Sequence, residues 1–148
     1  MKLRTILAAV LIAAGLTPLL SAADAQKPLY ERLGGQPAVA AVTSDFVDRI
    51  LGDTRVNGWF AHAASSPEAT AAYKATLTDF VCQSTGGPCE YKGRDMTAAH
   101  KGRAVTSAAF DAVVEDLVAT LAKFNVPQQE QDDLLQLLGG LKPAIVQQ

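Results

Sequence analysis

Familiar enzyme signatures are missing from this chain. Its 148 residues hold no Gly-x-Ser-x-Gly, no phosphate loop and no dinucleotide fingerprint, so the usual serine-hydrolase, nucleotide and nicotinamide chemistries have no foothold. Histidine and cysteine are scarce, two each: His62, His100, Cys82 and Cys89. Their spacings match no standard zinc finger, which argues against a structural zinc site. Tryptophan occurs once and aromatics make up 6% of the chain. There is no basic stripe, hence no sign of nucleic-acid binding. Runs of alternating apolar and polar residues, the mark of half-buried strands, are also scarce.

The first two dozen residues stand apart. Lys2 and Arg4 precede an apolar run from Ile6 to Leu20, broken by Gly15 and Pro18, and the small-residue stretch Ser21–Ala25 follows. This order is that of a secretory signal peptide cleaved after Ala25, and the run is short for a bilayer span. The expected organisation is a leader, residues 1–25, and one domain, residues 26–148, exported to the periplasm and free of the membrane once the leader is cleaved. The domain keeps eleven basic and fourteen acidic side chains, a formal net charge of −3. Its length suits a single core. Two cysteines in an oxidising compartment suggest one disulfide, while free thiols or a Cys-His nucleophile pair are the less favoured alternatives.

What is present reads as an all-α chain, rich in alanine and leucine. Pro28–Leu33 forms a short opening helix stopped by Gly34-Gly35. Val39, Val42, Phe46 and Ile50 recur at three- and four-residue steps, predicting one apolar face on a helix over Gln36–Leu51, with Asp45, Asp48 and Arg49 pointing away. Gly52-Asp53 ends it, and a short segment leads to Trp59-Phe60. Ser66-Pro67-Glu68 starts the next helix, with serine as cap and proline in the first turn. Its expected inner face is Tyr73, Leu77, Phe80 and Ser84, with Val81 beside it. Gly86-Gly87-Pro88 stops it. After a loop to Arg94, a short helix places Met96 and His100 on one side. Thr106 or Ser107 caps a further helix with the stripe Phe110, Val113, Val114, Leu117, Leu121 and Phe124. Pro127 opens the last, with Leu134, Leu135, Leu138 and Leu141 inside and an interruption at Gly139-Gly140.

His100 is the residue with most chemical potential. Ala98-Ala99 before it would let a large flat ligand approach the imidazole. Taken alone, helical periodicity leaves two readings open, an ordinary half-buried histidine or a metal ligand.

A set of short motifs decides between them. Leu29-Tyr30-Glu31-Arg32-Leu33-Gly34-Gly35, then Asp45-Phe46, Trp59-Phe60, Gly86-Gly87-Pro88, Tyr91-x-Gly93 and Arg94-Asp95-Met96-x-x-x-His100 occur in one order, followed by Phe110 and a leucine-rich last helix. Over Pro28 to Val146 the chain resembles the truncated haemoglobins, and most closely their first group. The resemblance implies a two-over-two helical sandwich around haem b (iron protoporphyrin IX), with His100 as its proximal metal ligand. It places Phe60 against the porphyrin face and Phe46 and Phe80 in the distal wall, with Tyr91, Met96, Phe110, Val114 and Leu117 completing the pocket. Propionate partners are expected among Lys74, Lys92, Arg94, Lys101 and Arg103, with Arg94 and Lys74 first, because an apolar disc with two carboxylates needs cations at its mouth.

The chain also departs from that family. Many members carry a tyrosine directly after the phenylalanine of the Asp-Phe pair, and here the position is Val47, which cannot donate a hydrogen bond to a bound gas. The helper glutamine of the next long helix is replaced by Leu77. Tyr73, one turn earlier, is the expected substitute donor, and His62 a lesser candidate for a sixth iron ligand. The functional expectation is binding of dioxygen, nitric oxide or carbon monoxide at an open iron site, for gas transport or detoxification, with fast dioxygen release and easy autoxidation. Alternatives are a nitric oxide dioxygenase or peroxidase-like enzyme, which needs a reductase not identified by the sequence, and a haem-free helical sensor or interaction module. A monomer or weak oligomer is expected.

Overall fold

A computed structural model describes residues 27–147; the expected leader, residues 1–25, lies outside the described residues. Among those described there is no strand. The helices are α1 (Leu29–Arg32), α2 (Gly35–Gly52), α3 (Pro67–Ser84), α4 (Met96–His100), α5 (Ser107–Lys123), α6 (Gln128–Gly139) and α7 (Lys142–Ile145), with a 3-10 turn at Asn57–Phe60.

The start signals at Ser66 and Thr106 act as the sequence suggests, and Asp95 adds a cap not expected from the sequence. Ser66 Oγ accepts the amide of Ala69 at 3.1 Å with Pro67 in the first turn, Thr106 Oγ1 accepts that of Ala109 at 3.1 Å, and Asp95 Oδ1 accepts that of Ala98 at 2.9 Å. Each satisfies an amide that has no partner inside its own helix. Gly34 turns α1 into α2 with φ +101°, a left-handed conformation in which a side chain is strained. The break at Gly139-Gly140 separates α6 from α7.

The helices form two pairs. α2 packs on both α3 and α5, α5 packs on α6, and α1 closes against α6. Two apolar clusters result. One gathers Ile50, Val56, Val105, Ala109 and Ala112 with Phe46, Trp59, Phe60 and Tyr73 against it; the other is built on Leu117, Leu121 and Leu134. Phe46 touches both and so joins the two halves of the core.

The buried face of α3 differs from the expected one. Thr78 and Cys82 are its buried residues, whereas Tyr73, Leu77, Phe80 and Ser84 are half-buried. The threonine hydroxyl donates to the Lys74 carbonyl one turn back, so a small polar residue sits against α2 without an unmet hydrogen bond. The large side chains of α3 are left facing a less filled space. Phe124 also departs from its stripe. It caps α5 and is 38% exposed, because the helix runs out before the ring can reach the core. Asp45 and Arg49 do not point away into water. Arg49 Nε donates to Thr120 Oγ1 on α5 at 3.2 Å, and Asp45 pairs with Lys123 and Arg49.

Candidate haem-type pocket

The histidine anchor is built locally. α4 has a single turn, and the ring of His100 folds back so that Nδ1 lies 2.7 Å from the Met96 carbonyl oxygen. A carbonyl only accepts, so Nδ1 carries a proton, and Nε2 is the nitrogen that remains to meet a metal. Nε2 has no partner among the described residues. This is the tautomer and the free nitrogen that a metal-ligating histidine requires.

The aromatic residues named from the sequence converge from three elements. Phe46 on α2, Phe60 on the 3-10 turn and Tyr73 on α3 pack on one cluster, with the Phe60 and Tyr73 rings tilted at 54° and 5.9 Å apart. Phe46, Leu77 and Phe80 line an apolar cavity of about 60 Å³ that runs toward Leu117, Leu121 and Leu134. Phe80 meets Tyr91 edge to face at 5.1 Å. Met96 and Val114 are half-buried, and Phe110 is half-buried with Lys142 Nζ 5.4 Å from its ring centroid. Val47 is completely buried on α2.

Tyr73 is the unusual member. Burial pushes its hydroxyl up to about 12, with nearby Arg103 opposing and Tyr91 adding slightly. No protein hydrogen bond engages it among the described residues, and the hydroxyl of this half-buried side chain keeps contact with solvent. Its donor is therefore available to a ligand. Tyr91 is different. Its hydroxyl donates to the Arg94 carbonyl at 2.9 Å, so the ring walls the site while its polar end is committed to its own loop. The Tyr91-x-Gly93 pattern follows from this fold: a Cβ on Gly93 would stand 2.2 Å from that hydroxyl.

The loop before α4 is tied down by the end of α3. Gln83 Oε1 accepts the Tyr91 amide at 2.7 Å, and the sulfurs of Cys82 and Cys89 stand at disulfide distance. Gly87 passes so close that a Cβ there would lie 2.6 Å from both the Cys82 sulfur and the Tyr30 ring. Beside Tyr91 a surface groove of about 420 Å³ opens between Thr76, Asp79, Glu90 and Lys92.

The candidate cations separate into two kinds. Lys74 is engaged, Nζ to Asp48 Oδ1 at 2.7 Å. Arg94 and Lys101 are exposed and have no ion-pair partner among the described residues, and Lys92 meets Glu90 only loosely at 3.7 Å. Arg103 lies near Tyr73 and donates to the Trp59 carbonyl at 3.2 Å. Sequence reasoning ranked Arg103 among several and missed Trp59 as its partner; that Trp59 is the sole tryptophan was the one available signal. His62 is exposed on the turn after Phe60, its carbonyl accepting from Ser65.

The residue types present fit a flat iron-bearing cofactor: an imidazole with one nitrogen unpartnered, apolar side chains from three elements, a hydroxyl without a protein partner and exposed cations; of these only Phe46, Leu77 and Phe80 line the apolar cavity, and His100 does not. Among the described residues no group of three or more His, Cys, Asp or Glu could hold a metal ion instead.

The family model described as bacterial-like globin matches residues 28–147. Group 1 truncated hemoglobin of Tetrahymena thermophila is 36% identical over 104 residues, covering 70% of this chain and 82% of that protein. Group 1 truncated hemoglobin GlbN of a Synechocystis species is 39% identical over 104 residues, 68% of this chain and 80% of that protein. A crystal structure of truncated hemoglobin from Tetrahymena pyriformis in the Fe(III) form superposes with a TM-score of 0.74 at 30% identity, covering 82% of this chain and all of that one.

Proposed function

The chain belongs to the group 1 truncated haemoglobins, and on that premise we propose that it holds haem b on His100 and binds a small diatomic gas on the opposite side. The observation that carries this reading is the His100 ring, whose Nδ1 proton is fixed by the Met96 carbonyl and whose Nε2 is free.

When bound, haem supplies an iron centre able to bind dioxygen, nitric oxide or carbon monoxide. The chain's own residues do the rest. His100 would present Nε2, the ring nitrogen without a protein partner. Phe46, Phe60, Leu77 and Phe80 are the apolar side chains that would hold the disc and exclude water from it. Tyr73 offers the one phenol on the distal side that is not already bonded, and its raised pKa keeps it a donor at physiological pH. It takes over the hydrogen-bonding role that Val47 cannot fill. Arg94 and Lys101 are the unpaired cations that would be available to the propionates, while Lys74 is already paired with Asp48 and Arg103 donates to the Trp59 carbonyl. Gas transport and gas detoxification both use such a site; turnover as a dioxygenase adds the need for an electron donor.

Export to the periplasm is part of the proposal. It is supported by the leader-like order of residues 1–25 and by the closeness of Cys82 and Cys89. Mass spectrometry of the protein from a periplasmic extract should find Gln26 as its first residue and the two thiols oxidised.

Absorption spectroscopy tests the central claim. Purified protein given haemin should develop a Soret band that His100→Ala abolishes. A colourless wild-type protein that rejects haemin overturns the reading and leaves a haem-free helical module.

A further inference from the structure

The segment immediately after His100 is held from two remote parts of the chain. Trp59 Nε1 donates to the Arg103 carbonyl at 3.0 Å, and Arg103 Nη1 donates back to the Trp59 carbonyl at 3.2 Å. From the other end of the sequence, Gln147 Oε1 accepts the Gly102 amide at 2.8 Å and the Gln147 amide donates to the Val105 carbonyl at 3.0 Å. Four hydrogen bonds thus fix residues 102–105, and α7 packs its short length against α4.

Within that segment the backbone is unusual. Gly102 has φ +75° and Ala104 has φ +51°. For alanine this left-handed conformation is strained, and strain of that kind persists where surrounding contacts over-determine it. α4 itself is a single turn with no fully buried residue, held inside by the His100 Nδ1 contact to the Met96 carbonyl and outside by α7. The clamped residues on its C-terminal side add a further constraint on where the turn, and with it His100, points.

We infer that Trp59 and Gln147 are positioning residues for His100: through the two-sided clamp on residues 102–105 they set the orientation of the imidazole toward the iron. This rests on the haem reading above. Trp59 precedes Phe60, so the same clamp couples the aromatic that packs on the cofactor to the histidine that ligates it. The ring's own partner is the Met96 carbonyl, which restricts its rotation; Trp59 and Gln147 act one step further out, by fixing the backbone that follows His100.

The test uses haemin-loaded protein and the variants Trp59→Phe, Gln147→Leu and Gln147→Glu. Phenylalanine keeps an aromatic ring but loses the N–H donor. Leucine keeps the bulk of glutamine and loses the acceptor, while glutamate restores it. The readouts are the iron–histidine stretch in the resonance Raman spectrum of the ferrous protein and the rate of haem transfer to excess apomyoglobin. Trp59→Phe and Gln147→Leu should shift and broaden the stretch and speed haem loss by about tenfold, at the lower end of the range for outer partners of a ligating histidine. Gln147→Glu should match the wild type in both. A merely structural role would lower the melting temperature and leave the stretch in place, and an unchanged stretch in Trp59→Phe and Gln147→Leu overturns the inference. Should Trp59→Phe fail to fold, the Gln147 pair decides alone. In haem-free protein, hydrogen exchange at the Gly102 amide should accelerate in Gln147→Leu and not in Gln147→Glu. If wild-type protein forms no Soret band, the haem reading itself has failed; if it forms one and the variants behave as wild type, only the clamp has.

Discussion

The ring of Tyr73 leans on Phe60, centroids 5.9 Å apart, and the contact holds a half-buried phenol whose hydroxyl has no protein partner among the described residues. Tyr73→Phe keeps the ring and removes the donor. Dioxygen release measured by stopped flow should then quicken about tenfold, which corresponds to the loss of one hydrogen bond worth ~1.4 kcal/mol. In the wild type the release rate should stay flat through the physiological range, since the hydroxyl titrates only near about 12. An unchanged rate in the variant would place the hydroxyl outside the ligand site.

Restoring the family's tyrosine at position 47 should not restore its behaviour. Val47 has no exposed surface, and its place on α2 is already filled. Val47→Tyr forces extra volume into that packing and should cost about 1–3 kcal/mol, read as a lower midpoint in urea denaturation. A variant as stable as wild type would mean that the side chain swings into the cofactor space instead.

Asp116 lies 8% exposed on α5, and its Oδ2 is buried without a partner. Burial, and then the neighbouring Asp53 carboxylate, hold its carboxyl above the usual range. The folded protein therefore keeps this proton to a higher pH than the unfolded chain does, and loses stability as pH rises from the ordinary carboxylate value through the folded one. Asp116→Asn escapes that loss. The variant should gain about 1 kcal/mol at pH 7, from removing an unmet buried charge, and the gain should fade toward about pH 4. Thermal unfolding of both proteins across that range would show it.

Cys82 and Cys89 are seven residues apart, and Cys82 is completely buried. A bridge closing so short a loop adds about 2–3 kcal/mol by the chain-entropy argument. Cys89→Ser, or wild type treated with reductant, should lower the denaturation midpoint to match. Because the bridge anchors the loop that carries Tyr91 and leads to α4, haem loss should quicken in parallel. Equal midpoints with and without reductant would show that the thiols are not joined.

Much of the fold was legible along the chain because its signals are local. Ser66 and Thr106 cap helices by reaching amides three residues away, and Gly34 and the Gly86-Gly87 pair stop or turn the chain where they stand. His100 and its Met96 partner are one helical turn apart, so that contact too follows from spacing. The clamp on the proximal loop was not legible. Trp59 and Gln147 lie 44 and 45 residues from the groups they bond, and no periodicity links them.

The amino-acid order alone settled the all-helical class, the helix limits to within a residue or two, and the short turn that carries Met96 and His100, since each depends on interactions within a few residues. The tertiary structure decided which faces are covered. It turned the small residues Thr78 and Cys82 of α3 inward and left Tyr73 and Phe80 half-open, diverted Lys74 to Asp48, and buried Asp116 beside Asp53. Those outcomes depend on how closely two helices approach, and that is set by the volumes of side chains far apart in the chain, which no local pattern encodes.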